Sequence, residues 1–197
     1  LNLPFMNKNS YAIIMAGGIG SRFWPLSKKK LPKQFLDILG VGETLIQQTF
    51  RRLLLICPKE NIFVVTNEDY FSLCKAQIPE LKNNQILCEP VMRNTAPCIA
   101  YAAFKIHTLN DQANLIVAPS DHIILKEDKF VRVINDCFTV VDQNDVLLTI
   151  GINVTRPETG YGYIQFTSQS LNNFNNIKKV KTFTEKPNQE LAIKFID

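Results

Sequence analysis

No Cys-x-x-Cys pair occurs in this chain. Its five cysteines, Cys57, Cys74, Cys88, Cys98 and Cys137, are odd in number and widely spaced. That pattern argues against a disulfide frame or a thiolate zinc site and predicts reduced core residues of a cytoplasmic protein. Long apolar runs are missing as well. The longest, such as LLLIC at Leu53 to Cys57, fall far short of the ~18 residues a membrane-spanning helix needs, so no membrane association is expected. The opening LNLPFMNKNS has no apolar h-region, which speaks against a signal peptide and leaves Met6 as the expected native start. Histidine is scarce: His107 is read as a helix residue and His122 as loop support, neither as a ligand. Charge of one sign is not in excess, with 22 Lys and Arg against 18 Asp and Glu. Without a long basic helix or a basic patch interleaved with aromatics, no nucleic-acid partner is expected.

The composition that remains is that of a folded domain: 197 residues, 46% hydrophobic and 20% charged, enough to bury a sizeable core. No internal repeat and no linker are evident. Tyr11–Met15, Asn61–Thr66, Gln85–Cys88, Asn114–Ala118 and Val146–Ile150 are short runs rich in Ile, Val and Leu. Bounded by turn residues, they predict strands buried on both faces of a parallel sheet. Helical spacing between them covers Thr44–Leu55, with Thr44 as N-cap, then Thr95–His107 and Asp128–Val141, the last with Phe130, Val133, Ile134, Cys137 and Val141 on one face. Strand–helix alternation predicts an α/β fold. Tyr161–Thr167 and Val180–Glu185 lack an intervening helix and predict antiparallel additions. Asn188–Asp197 is amphipathic without a terminating cap, so the chain is expected to be a fragment of a longer domain.

The stretch AGGIGSRFWPLSKKKLPK, Ala16 to Lys33, follows the first strand. Glycines after a strand let backbone N–H groups approach an anion closely. The spacing is not that of a Walker loop. It also makes a poor dinucleotide fingerprint, because the third glycine position is Phe23 and Glu43 lies in a turn rather than at a strand end. Arg22 carries a rigid fork suited to phosphate oxygens, and Lys33 a point charge on a flexible stem. Pro25 and Pro32 keep the intervening segment from becoming helix, so Lys33 is expected to fold back towards the glycines. Lys28, Lys29 and Lys30 read as a solvated surface run.

Gly17, Gly18, Gly20, Arg22, Pro25, Leu26, Pro32 and Lys33 match the pattern GGxGxRxxPLx5PK without exception. It resembles the signature of sugar-1-phosphate nucleotidylyltransferases. The FWPLS and PKQFL variants, with EPVMRNTAP (Glu89–Pro97), APSDH (Ala118–His122), RPETGYGYI (Arg156–Ile164) and FTEKP (Phe183–Pro187), resemble its mannose-1-phosphate guanylyltransferase branch.

The resemblance implies a Rossmann-like open, mostly parallel sheet with helices on both faces and short antiparallel additions. Residues 1–197 would be the N-terminal part of a catalytic domain. It implies attack of a mannose-1-phosphate oxygen on the α-phosphorus of GTP, making GDP-mannose and pyrophosphate for polysaccharide biosynthesis. Such a reaction needs positioning and charge neutralisation more than an activated nucleophile. Arg22 and Lys33 would be catalytic, and Ala16, Gly17, Gly18, Gly20, Ser21 and Ser120 would hold the nucleotide. Asn94 and Thr95 would face guanine, unless they only cap a helix. Asp121, at the end of a sheet strand, would bind Mg²⁺ unless it only forms a turn, with a second acidic ligand beyond Asp197. Gly160, Tyr161 and Gly162 would contact the sugar, or else form a β-bulge; Glu185 and Lys186 would contact sugar and phosphate, or else form a surface ion pair. Some members of the family are fused to a phosphomannose isomerase; the sequence leaves the oligomeric state open, a homo-oligomer among the options. The competing readings are a relative with another base or sugar and a non-catalytic regulatory homologue.

Overall fold

A computed structural model describes residues 7–18, 20, 23–171 and 174–196. The chain forms two compact units, Leu1–Asp145 and Val146–Asp197. The first is built on four parallel strands, β1 (Ser10–Met15), β2 (Ile62–Thr66), β3 (Ile86–Cys88) and β4 (Asn114–Pro119), in the order β3-β2-β1-β4. Four of the five predicted strands are therefore present, each within a residue or two of its expected bounds.

Both faces of this sheet are apolar because successive residues of each strand point to opposite sides and nearly all are hydrophobic. Ala12, Ile14, Ile62 and Val64 join one core, with Ile46, Phe50 and Leu53 of α1 (Leu45–Leu53), Cys74 of α2 (Phe71–Gln77) and Ile134 of α4 (Glu127–Gln143). Tyr11, Ile13, Phe63 and Val65 form the other with Cys98, Ala102 and Ile106 of α3 (Thr95–His107). Helices thus lie on both faces, as expected. Helix α1 starts at Thr44, whose backbone N–H donates to Gln47 Oε1 at 2.9 Å, one half of a capping box. Helix α4 packs on the core through Phe130, Val131, Ile134 and Phe138, a stripe rotated from the predicted one. Helix α2, which the sequence did not announce, is only seven residues long and is anchored by the fully buried Cys74. Cys57, Cys74 and Cys98 are buried core residues.

Val146–Ile150 is not a strand. Apolar content alone does not make one, because a strand needs a ladder neighbour. Residues 145–155 have none among those described, and Leu147 and Ile152 lie open to solvent.

The second unit is an antiparallel pair, β5 (Tyr163–Leu171) and β6 (Phe174–Thr184), followed by α5 (Gln189–Lys194). Asn188 caps α5, its side-chain oxygen accepting from the Leu191 N–H at 2.9 Å. Tyr163 packs against Phe195 with ring centroids 5.3 Å apart.

Candidate active site

Strand order locates the site in the first unit. From β1 the chain runs outward through β2 to β3, then crosses to β4 on the other side of β1. The order therefore reverses at β1, and the C-terminal edge shared by β1 and β4 is the switch-point crevice where sheets of this kind take ligands. The ladder persists to the brink: Ser120 N–H donates to Met15 O at 3.1 Å and Ala16 N–H to Val65 O at 2.8 Å. Ser120 is buried by this extension of the sheet.

After Ala16 the glycines take over. Gly18 has open space where a side chain would stand, so its backbone is free to be approached closely. Gly20 adopts φ +66°, and a Cβ there would lie 2.6 Å from Ser27 Oγ and 3.0 Å from Lys33 Cγ. Glycine is required twice over, by conformation and by space.

Among the described residues no helix begins at this loop; α1 starts only at Leu45, and Phe23 is partly exposed in a 3₁₀ turn. That arrangement supports the rejection of a dinucleotide fingerprint. Residues 23–31 instead double back. Ser27 N–H donates to Phe23 O, and Lys28 and Leu31 exchange backbone hydrogen bonds at 3.1 and 2.9 Å. Lys28, Lys29 and Lys30 are exposed at the tip, as predicted. The Tyr70 hydroxyl donates to Lys29 O at 2.9 Å and ties the strap down. The return delivers Lys33, whose N–H donates to Ser27 Oγ at 3.1 Å.

Lys33 reaches across the crevice. Its Nζ lies 2.5 Å from Asp121 Oδ2, both side chains about a quarter exposed, and 5.1 Å from the centroid of the Phe23 ring. Two residues far apart in sequence, assigned separate roles, are a contact pair. Arg22 and Ser21 lie outside the described residues.

A second carboxylate stands at the same C-terminal edge of the sheet. Glu89 follows β3 as Asp121 follows β4, and its N–H donates to Thr66 O at 2.8 Å. Its Oε2 lies 3.6 Å from where a Gly17 side chain would begin. Partial burial raises its pKa, and a hydrogen bond from the Cys98 thiol partly offsets this. Burial, reinforced by the Glu89 carboxylate, pushes the Cys98 thiol up to about 11. Sequence reasoning passed over Glu89, although a carboxylate just after a parallel strand was the signal that singled out Asp121.

Asn94 does occupy the N-cap position of α3, at φ 66°, but its side chain makes no capping hydrogen bond. Asn94 and Thr95 are both exposed. Left-handed backbone at a residue other than glycine is uncommon and concentrates at functional sites.

Among the described residues no three His, Cys, Asp or Glu side chains gather into a metal cage. Asp121 is a single hard oxygen donor. That suits Mg²⁺, which commonly uses one or two carboxylates plus substrate phosphates rather than an all-protein site.

In the second unit, the shifts of register fall at Gln165/Phe166, Phe166/Ser170 and Ser170/Leu171, not at Gly160 or Gly162. Gly162 is needed for room: a Cβ would lie 2.7 Å from Phe183 Cε2 and 2.9 Å from Glu185 Oε2. Tyr161 is exposed, and its carbonyl accepts from Lys186 N–H at 3.2 Å. Glu185 and Lys186 form an exposed ion pair with Nζ 3.0 Å from Oε1. Gly160 meets only Glu158, at 3.5 Å from its Cβ position.

A parallel sheet whose switch point joins a glycine loop, a returning lysine and a strand-end aspartate defines a phosphate-handling α/β domain of the nucleotide-binding kind. Its relatives narrow the class: residues 11–197 match the nucleotidyl transferase family, and the chain belongs to that family. The mannose-1-phosphate guanylyltransferase of Salmonella montevideo is 41% identical over 190 residues, covering 94% of this chain and 39% of that protein. The alginate biosynthesis protein AlgA of Pseudomonas aeruginosa is 37% identical over 192 residues, covering 93% and 38%. A crystal structure named as a mannose-1-phosphate geranyltransferase from Thermus thermophilus superposes with a TM-score of 0.83 at 29% identity, covering 95% of this chain and 53% of that one. The chain spans about two fifths of the length of these curated relatives.

Proposed function

We propose that the protein makes GDP-mannose and pyrophosphate from GTP and mannose-1-phosphate. The observation that carries the reading is the placement of Lys33, brought by a closed strap onto Gly20 and across to Asp121 at the mouth of β1 and β4. The names of the relatives supply the sugar and the base.

In the proposed reaction an oxygen of mannose-1-phosphate forms a bond to the α-phosphorus as the bond to the bridging oxygen breaks. The electron pair leaves on pyrophosphate. The attacking oxygen is already anionic near neutral pH, so the chain need only orient two polyanions and spread their charge. Backbone N–H groups of Gly17, Gly18 and Gly20 would face the phosphates, with Ala16 anchoring the loop to the sheet. Lys33 neutralises charge on them, with Arg22 assigned the same work on the leaving pyrophosphate. Asp121 is the protein's ligand for a Mg²⁺ carried with GTP, an ion that would neutralise the triphosphate when bound.

Guanine presents two donors side by side, N1–H and N2–H₂. Glu89, a carboxylate beside Gly17, is a matching pair of acceptors, and Asn94 and Thr95 at the head of α3 complete the base site. Mannose-1-phosphate falls to Gly160, Tyr161, Gly162, Glu185 and Lys186 of the second unit. The length of the curated relatives leaves room for an isomerase domain in the parent protein. In that connection, a Helicobacter pylori structure named as a mannose-6-phosphate isomerase superposes with a TM-score of 0.69 at 28% identity. A homo-oligomeric, cytoplasmic enzyme is proposed; among the described residues no helix is long and apolar enough to cross a membrane.

The test is pyrophosphate release by the full-length protein with each pairing of GTP, ATP, UTP or dTTP and mannose- or glucose-1-phosphate. GTP with mannose-1-phosphate should lead by at least about tenfold. A lead by another pair would reassign the substrates, and no release with any pair would favour a regulatory homologue.

A further inference from the structure

A glycine loop can bind an anion only if its carbonyls point away from it. The glycine-rich backbone from Ala16 to Gly20 does not guarantee that: each peptide plane can turn either its N–H or its C=O into the crevice. Something must take hold of the carbonyls. Ala16 O is held on one side by Thr66 Oγ1, which donates at 3.1 Å. The Gln34 side chain supplies the rest. Its Nε2 donates to Ala16 O at 3.0 Å and to Gly18 O at 2.9 Å. Both amide protons are thereby spent on the loop. Gln34 is 2% exposed, so water does not compete for them, and a hydrogen bond lost there leaves a carbonyl wanting rather than rehydrated.

The same short segment does two jobs. Pro32–Lys33–Gln34 arrives through the strap, and a single 3₁₀ turn over Lys33–Phe35 sends adjacent side chains to different tasks. Lys33 goes out to Asp121, while Gln34 goes under the glycine loop. Phe35, buried and edge-on to Tyr70 at 5.8 Å, pins the turn. The cation and the loop it cooperates with are therefore registered to each other by one peptide of separation.

We infer that Gln34 is a positioning residue for nucleotide binding: its amide draws the Ala16 and Gly18 carbonyls down and so presents the loop's N–H groups to the triphosphate. This rests on the nucleotidyl-transfer reading given above. Neither a leucine nor a glutamate can do the work, the first because it has no donor. Glutamate has nearly the same shape but turns two acceptors on two carbonyls.

The experiment uses Gln34→Leu and Gln34→Glu in the full-length protein, with two readouts. The first needs no nucleotide: the carbonyl ¹³C chemical shifts of Ala16 and Gly18 in the free protein, which should move upfield in both variants as the hydrogen bonds from Gln34 are lost. The second is steady-state kinetics. KM for GTP should rise about ten- to a hundredfold, the effect of roughly two buried hydrogen bonds. KM for mannose-1-phosphate should change less than about threefold, a split that general destabilisation would not produce. If Leu fails to fold, Glu, of equal size, carries the test, its fold checked by circular dichroism. Unchanged carbonyl shifts in a folded variant, or equal rises in both KM values, overturn the inference. Moved carbonyl shifts with an unchanged KM for GTP would instead sink the nucleotide role of the loop itself, leaving Gln34 as its clamp.

Discussion

Replacing Asp121 by asparagine removes one charge from a contact 2.5 Å long and leaves the shape of the side chain almost unaltered. Between unit charges at that separation the Coulomb attraction is about 7 kcal/mol at an effective dielectric of about 20. Most of it is offset by the hydration both groups give up and by the ordering of the lysine stem, so the net contribution to folding is about 1 kcal/mol. In a chain of this size that corresponds to about 2–4 °C in Tm. Asp121→Asn should therefore fold and melt nearly as the parent does.

Its effect on ligands should be larger and of opposite sign in two conditions. Lys33 cannot meet a phosphate while it holds Asp121, so a triphosphate arriving without metal must first break the pair and then sit beside a bare carboxylate. Asparagine lifts both penalties. Titrated calorimetrically with GTP in excess EDTA, Asp121→Asn should bind about tenfold more tightly than the parent, about 1.4 kcal/mol. With Mg²⁺ present, pyrophosphate release should fall about a hundredfold or more, since the carboxylate proposed to receive the ion is gone. Lys33→Met added to Asp121→Asn should abolish the gain in EDTA. Equal or weaker metal-free binding by Asp121→Asn would refute the idea that the pair opposes nucleotide entry. A drop in Tm beyond about 10 °C would make the contact structural first.

Gly20→Ala places a methyl 2.6 Å from Ser27 Oγ at a left-handed backbone position; it should cost about 1–3 kcal/mol by urea denaturation and raise KM for GTP. Gly162→Ala drives against Phe183 and Glu185 and should lower stability by about 1–3 kcal/mol. Adding Phe183→Ala should recover part of the loss, and no recovery would refute the steric account. Glu89→Gln tests a pKa raised by burial: between the ordinary carboxylate value and the raised one the folded protein holds more protons than the unfolded chain, so stability falls as pH rises through that window. The glutamine variant should lose that part of the slope in unfolding curves taken through and just above the ordinary carboxylate range, and its preference for GTP over ATP should shrink. An unchanged slope would place the perturbed group elsewhere.

The parts legible in the sequence were those whose chemistry is written in residue type. Strands packed on both faces must be apolar nearly throughout, so β1, β2, β3 and β4 stood out from composition alone, although only β1 and β2 are buried along their length while the outer β4 is half-buried. The glycine loop, the proline-framed strap and the end-of-strand Asp121 carry equally direct signals. Val146–Ile150 shows the limit of the method, since it has the right residues and, among those described, no neighbour to pair with. Helix α2 shows another: seven residues held by one buried cysteine produce too little periodicity to read. The Lys33–Asp121 contact could not be read at all, because it depends on β4 crossing back beside β1, a fact of topology rather than of local pattern.

Glu89 and Gln34 were invisible for a different reason. A glutamate after a short strand and a glutamine after a lysine are ordinary surface residues until burial gives them consequence. Once Gln34 is 2% exposed, its amide must find acceptors, and the two within reach are carbonyls of the loop whose orientation matters most. Once Glu89 is partly buried beside Gly17, its ionisation becomes costly and a ligand offering donors becomes the natural remedy. In both cases the fold creates a polar demand that only a neighbouring backbone or a ligand can meet. The sequence supplies the atoms of this site, but it is the strap of residues 23–33 that brings the lysine proposed to meet phosphate to Asp121 and sets its neighbour under the glycine loop. A change in the strap that leaves every named site residue intact should therefore impair GTP binding as surely as a change in the site itself.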